Sequence, residues 1–438
     1  MPRWMRRWLL PVLAGLVCVT VAAGLGLTAL HEGDAAANGA GSRPSPPLPT
    51  ESAIASPAIS ASPTSSTTPS ASPSASASPE ASPLNATVAF AGDVLLHLPV
   101  DADAKTAKGY DFGPLLKGVT PWISGADIAI CQLEVPLAAP GRPLSGYPVF
   151  GAPKQIIPGL AKQGWDGCAT ATNHSLDQGW AGIKTTVGAL TSNHMGYAGM
   201  ALNQKDADDA QLYRLTLGDQ TLTVAHLSTA YGFNGFKLPK AEPWAVAKNN
   251  VSQIVKRAKA ARKAGADIVL LSVHFGVEYN TKTTADQRDF VKKIAASGAV
   301  DAVIGGHPHV PEPIEKVKGG VGGKGMWVAY SLGNFICDMD SALKNTGIVA
   351  YVHLTKDADG ARVTGMTWST VVVDRRHGHR LFMTQDAKPG KSLGHLSAAE
   401  LKSRHTSVIK IVGKTAKEQK APPKPSGAKL KVLGPTFD

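Results

Sequence analysis

The 438 residues carry 45 Lys and Arg against 33 Asp and Glu, a formal charge of +12, with four cysteines. Four cysteines are too few for a fold held together mainly by disulfides. The length suits two or three average domains, but the first fifth does not read as globular, and the remainder is long enough to bury a sizeable core.

In chain order, a short basic flank (residues 1–7, with Arg3, Arg6 and Arg7) precedes residues 8–30, an uncharged and mostly apolar stretch long enough for a helix to cross a bilayer. The basic flank predicts that this end stays in the cytoplasm and the rest is exported, as a single-pass protein on the extracytoplasmic face of the cell membrane. A cleaved signal peptide, with small residues at Ala35–Ala37 for processing and a secreted product, is the alternative. Residues 31–84 are dominated by Ser, Pro and Ala and have too little apolar surface to offset chain entropy. They read as a disordered, proline-stiffened linker with a reach on the order of 100 Å at ~3.1 Å per residue. The basic excess gathers at the two ends, and residues 379–438 read as a basic, partly disordered tail. For an exported domain that charge points to anionic envelope or capsule polymers, or to lipid headgroups, rather than to nucleic acid.

Between residues 85 and 378, strand-like and helix-like segments alternate, the mark of an α/β fold. Lys248–Ala264 and Ala285–Ser297 have helical apolar spacing and each is followed by a glycine stop. Leu212–Leu217 and Thr221–Leu227 read as a hairpin around Gly218, and Met326–Leu332, Gly347–Leu354 and Arg362–Val373 as further strands. The mixture predicts two sheets packed face to face with helices outside. Cys131 and Cys168 fall on core strands that can be neighbours; buried thiols are the expectation and a bridge the alternative.

Five of the strand-like runs, Thr87–Asp93, Ala126–Glu134, Cys168–His174, Ala266–His274 and Val300–His309, end on residue types that bind metals. In open α/β sheets ligands bind beyond the carboxyl ends of the strands, so these ends predict one assembled site. His307 and His309, two apart, would project to the same side of an extended chain, with Gly305-Gly306 allowing close approach. Asp93 and Glu134 are carboxylates that are costly to bury unless paired or coordinated. Each of these residues alone has a plainer structural reading, as a helix cap, a turn or a satisfied core histidine; their recurrence in one chain is the signal.

Gly92-Asp93, Leu133-Glu134, Asn173 to Gly179, His274 to Glu278, Gly306 to Val310 and Tyr330 to Phe335 together resemble the bacterial capsule synthesis proteins of the CapA (PGA_cap) type, in order across residues 86–378. The resemblance implies a relative of the calcineurin-like metallophosphoesterases, a four-layer α/β/β/α sandwich with metal at the strand ends. It implies Asp93, Glu134, Asn173, His274, His307 and His309 as ligands of one or two divalent ions (Mn, Fe or Zn), Glu134 as a bridge, His174 steadied by Asp177 as the proton donor, and Glu278 and Asn334 on the substrate side. It also implies poly-γ-glutamate capsule metabolism, an anionic polymer as partner and a capsule biosynthesis complex, with a non-catalytic polymer-binding or export subunit as the alternative. Two departures stand out: Val94-Leu95 follow Asp93 where such enzymes carry Asp-x-His, leaving His97 as the nearest substitute, and the second motif presents a single acid.

Overall fold

Alternation along the strands builds the layers. In Leu84–Val94, Val88 and Phe90 face one side and Ala89 and Ala91 the other; in Ile128–Leu133, Ile128 and Ile130 oppose Ala129 and Cys131; in Ile268–His274, Ile268 and Leu270 oppose Val269 and Leu271. The first-named of each set meet between two sheets, with Val224, Ile304, Ile348 and Val352. The second-named face outward onto helices. Ala89 and Cys131 join Ile156, Leu160, Ile183 and Val187 on one side, and Val269 and Leu271 join Ile254, Ala258, Val291 and Ile294 on the other. The result is the expected four-layer α/β/β/α sandwich.

The computed structural model describes residues 82–434. The basic flank, the transmembrane or signal segment and nearly all of the linker lie outside the described residues, among which no helix is long and apolar enough to cross a membrane. The first sheet runs in the order Arg380–Met383, Gly360–Asp374, Thr346–Asp357, Leu84–Val94, Ile128–Leu133, Gly167–Ala169, Gly196–Ala198. Its last four strands are parallel. The second runs Ile314–Val317, Met326–Ala329, Ala302–Gly306, Ile268–His274, Gln220–Ala230, Gln211–Leu217, Lys429–Leu433, with Ala302–Gly306, Ile268–His274 and Gln220–Ala230 parallel.

The helix expected from Lys248 starts at Val251, because the Asn250 side chain accepts the Gln253 N–H and sets the first turn there. Ala285–Ser297 has its expected limits, fixed by a Thr284/Gln287 capping box and by Gly298 at φ 62°. Two expectations are corrected. The tail expected to be partly disordered is built into the fold from Arg380 to Leu433. Arg380–Met383 and Lys429–Leu433 extend the two sheets, and Ala398–Val412 is an amphipathic helix burying Leu401, Val408 and Val412. Net composition hid that apolar stripe.

The other correction concerns Cys131 and Cys168, which form a disulfide rather than two buried thiols. They lie directly opposite each other on adjacent parallel strands, a register that the sequence does not reveal. Cys337 is buried and free. Closing a 37-residue separation should contribute about 4 kcal/mol by constraining the unfolded chain. Thermal melts with and without reductant, and of the Cys131→Ala/Cys168→Ala variant, should show matching drops in Tm; an unchanged melting curve would contradict the bridge.

Candidate metal centre

The parallel strands of both sheets point the same way, so their carboxyl ends meet at one edge of the sandwich. Asp93 is the penultimate residue of Leu84–Val94, Glu134 follows Ile128–Leu133, His274 ends Ile268–His274, and His307 follows Ala302–Gly306. Asn173 and His174 sit in the turn beyond Gly167–Ala169. That turn is tied down by Thr172 Oγ1, which donates to the Glu134 carbonyl at 2.6 Å, and by Ser175 Oγ, which donates to the Thr170 carbonyl at 2.8 Å. Gly306 is required at its place: a Cβ there would lie 2.7 Å from Asp93 Oδ1. The adjacent His307 N–H donates to Asp93 Oδ2 at 3.2 Å.

His307 and His309 reach the site by a different route from the extended chain expected. The strand ends at Gly306, and both histidines adopt left-handed backbone, φ 100° and φ 58°. Such conformations are strained for residues with a Cβ and persist where the surroundings impose them. Their rings still converge, with centroids 6.0 Å apart and His274 5.0 Å from His307.

Two overlapping ligand sets result. Glu134, His274 and His307 each offer a donor atom within 4.8 Å of the others, and so do Asp93, Glu134 and His309. Asn173 Oδ1 lies 2.8 Å from His274 Nε2, which joins it to the first set. Glu134 therefore stands between the two. Asp93 and Glu134 are almost wholly inaccessible, and Asp93 Oδ1, both Glu134 oxygens and His307 Nδ1 have no hydrogen-bond partner. Buried carboxylate oxygens without partners are costly. A mixed imidazole and carboxylate set suits Mn, Fe or Zn, so the donors present fit a divalent cation at either set. Glu278, exposed, shares a third group with His307 and His309.

His97 does not replace the missing histidine of the first motif. The chain has already turned into the helix Leu98–Asp103, and His97 Nδ1 accepts the Asp338 N–H at 3.2 Å. Asn334 does not line the substrate side. It is fully buried, its Oδ1 accepts from His309 Nδ1 at 3.0 Å, and its Nδ2 donates to the His309 and Lys344 carbonyls. It is a positioning residue that holds the His309 ring with Nε2 toward Glu134, 3.6 Å away. His174 and Asp177 meet as expected, Nδ1 to Oδ2 at 2.7 Å, and the same Asp177 oxygen accepts the Phe150 N–H at 2.7 Å.

Other contributors escaped the sequence. Asn234, at φ 46°, accepts from Asn173 Nδ2 at 3.2 Å and places its own Nδ2 3.4 Å from His174 Nε2. Gln132 Nε2 lies 3.4 Å from His274 Nδ1, Asn249 Nδ2 donates to the His274 carbonyl, and the Tyr231 ring lies 4.7 Å from His307. The only available cue was the turn composition of Gly232-Phe-Asn-Gly235, which marks a loop without saying where it docks.

Burial and the neighbouring charges set the protonation of the centre. Burial opposes charge on His309, but Glu134 and Asp93 outweigh it and lift the imidazole from 6.5 to about 9. Burial, with His274 adding repulsion, pushes His307 down to about 2. Burial also works against the Glu134 charge, yet His309 and His274 hold this carboxyl below its ordinary range; Asp93 is raised by burial and then by Glu134. A raised His309 contributes stability that is full below pH 6.5 and is lost as pH rises through about 9. A depressed His307 contributes stability that is full above pH 6.5 and is lost as pH falls toward about 2. The joint contribution of these two histidines thus peaks near pH 6.5, so in chelator His309→Asn should show a smaller alkaline fall in denaturation midpoint than wild type. Saturating Mn or Zn should remove the alkaline decline, because the metal replaces the His309 proton. An alkaline fall equal in His309→Asn and wild type would contradict this arrangement.

A family profile described as bacterial capsule synthesis protein PGA_cap matches residues 87–339. A capsule biosynthesis protein CapA from Bacillus anthracis is 25% identical over 277 residues, 61% of this chain and 64% of that protein. A PGA biosynthesis protein CapA from Bacillus subtilis is 32% identical over 193 residues, 44% of this chain and 47% of that protein. The matches thus span from about half to just under two thirds of these curated relatives. Among solved structures, the chain is similar to a phosphatase from Mycoplasma pneumoniae, at TM-score 0.40 and 12% identity over 66% of this chain and 94% of that one. It is also similar to the calcineurin-like phosphoesterase YfkN from Bacillus subtilis, at TM-score 0.38 and 12% identity over 75% and 99%. With the profile covering more than half of its length, the chain belongs to the bacterial capsule synthesis family PGA_cap.

Proposed function

We propose that this chain is an exported, membrane-tethered member of the family that acts in capsule or envelope polymer metabolism, and that its strand-end site hydrolyses phosphoesters with one or two bound Mn, Fe or Zn ions. The observation that carries this reading is Glu134, buried between two ligand sets with no hydrogen bond to either oxygen. Asp93, Asn173, His274, His307 and His309 would hold the metal with it. When bound, a divalent ion polarises the phosphoryl group and acidifies a water.

The chain's own part is to position and to move protons. Asp177 accepts the Nδ1–H of His174, which fixes the tautomer and leaves Nε2 as the atom that exchanges a proton with a leaving oxygen. Asn334 orients His309, and Gln132 and Asn249 steady His274. Export is supported by the Cys131–Cys168 bridge, since disulfides persist in oxidising compartments. An anionic polymer as substrate or partner, within a capsule biosynthesis complex, is supported by the names of the relatives and by the +12 charge.

A specific observation favours the second reading, a polymer-binding or export subunit without turnover. Tyr147 is exposed on the loop after Ile128–Leu133, Tyr231 and Phe236 on the loop after Gln220–Ala230, and Val277 and Tyr279 on the loop after Ile268–His274, apolar surface suited to holding a chain. Metal analysis and phosphodiester turnover separate the two. Wild type should contain Mn, Fe or Zn, and Glu134→Ala should lose all of it, since both sets share that residue. His174→Ala should keep its metal and lose about 10²–10⁴-fold in kcat. Metal without turnover, together with salt-sensitive polymer binding that survives His274→Ala, would favour the subunit; absence of metal from wild type would sink the hydrolase.

A further inference from the structure

The group formed by Glu278, His307 and His309 differs from the two inner ligand sets in being open to water. Its donor atoms lie within 4.8 Å of one another, and its carboxylate is exposed, whereas every member of the inner sets is buried. The backbone holds Glu278 beside the histidines. The Phe275 N–H donates to the Gly306 carbonyl at 3.1 Å and the Tyr279 N–H to the Pro308 carbonyl at 2.7 Å, so two bonds bracket Glu278 and tie its loop to the segment that carries both imidazoles. Tyr279, the next residue, is held at φ 65°, a conformation that persists where the surroundings impose it.

The Glu278 carboxylate has no ion-pair partner among the described residues. Lys344, whose ammonium lies 3.9 Å from the Tyr279 ring centroid, pairs instead with Asp340 at 2.9 Å. Burial and then the Glu278 charge push the Tyr279 hydroxyl up to about 12, and the same two causes raise that of Tyr231, so neither neighbour offsets the charge. His307 complements it. Its Nδ1 is buried without a hydrogen-bond partner, and burial keeps the ring neutral. A neutral imidazole and a carboxylate both offer lone pairs, so a cation is what the two can share.

His307 also belongs to the inner set with Glu134 and His274, and His309 to that with Asp93 and Glu134. The outer group therefore cannot hold an ion while both inner sets are filled, and occupation is sequential. A buried metal site needs an entry path along which protein donors replace the waters of the hydrated cation. We propose that Glu278, His307 and His309 form a third, transient cation position that captures a divalent ion from solvent and passes it inward to Glu134. The ion exchanges an exposed carboxylate for a buried one while an imidazole stays bound. This rests on the metal binding assigned to the strand-end centre and adds how that centre is filled.

The test mixes metal-free full chain with zinc in stopped flow, reads uptake with a zinc-sensitive dye, and measures release into EDTA and final zinc content. Glu278→Gln, which keeps shape and loses charge, should take up zinc about tenfold more slowly and release it more slowly by the same factor, with content and affinity unchanged. Glu278→Asp should recover part of the rate. A second arm reads the position itself: Glu134→Ala, purified without metal, should still bind one zinc weakly by calorimetry, and adding Glu278→Gln should weaken that binding about tenfold. If wild type takes up no zinc, the strand-end centre is refuted and this proposal with it. Uptake at equal rates in wild type and Glu278→Gln, or a difference abolished by about 0.5 M sodium chloride, overturns the outer position alone. So does a zinc site in Glu134→Ala that is absent or indifferent to Glu278→Gln.

Discussion

Two carboxylates, Asp93 and Glu134, are removed from water at the ends of neighbouring strands, and much of the site's architecture answers that fact. Like charges so placed repel each other and each loses its hydration, so neither can stay ionised without positive charge close by. Neither sheet provides it alone. Asp93 and Glu134 come from the first sheet, whereas His274, His307 and His309 come from strands and their sequels in the second. The compensation exists only when the two sheets are packed with their carboxyl ends aligned. Folding of the sandwich and assembly of the centre are in that sense one event, and a proton on His309 stands where a metal's charge would act.

What was legible in the sequence follows from this economy. Strand alternation and donor residues at strand ends are local patterns, so the layers, the convergence of Asp93, Glu134, Asn173, His274, His307 and His309, and the His174–Asp177 pair could all be read in advance. What could not be read depends on distance in space. Cys131 and Cys168 required the strand register. The resemblance put Asn334 on the substrate side, yet its Oδ1 accepts from the His309 imidazole and its Nδ2 donates to the His309 and Lys344 carbonyls. Asn234 is invisible to spacing because it belongs to a loop that returns over the site from the other sheet. The ordered tail was missed because charge averaged over a segment says nothing about which face of a helix carries it.

The 231–250 segment links two parts of the molecule. Its first residues, Tyr231 and Asn234, touch His307 and the Asn173–His174 turn, while Leu238, Trp244 and Val246 line a pocket shared with Ile254 of the helix Val251–Lys263. One stretch of chain thus has a polar front and an apolar back. Anything that fixes its back against the helix Val251–Lys263 also limits how far Asn234 can move from His174.

The left-handed backbone at His307 and His309 has a bearing on descent. A residue with a side chain is held in that conformation against its own preference, while glycine would occupy it without penalty. The imidazoles remain there only as long as something is gained from them. Were the centre to fall out of use, substitution by glycine would relieve strain at both positions at once, and drift would favour it. The residues at these two positions in any related chain would then record whether its centre is still under selection.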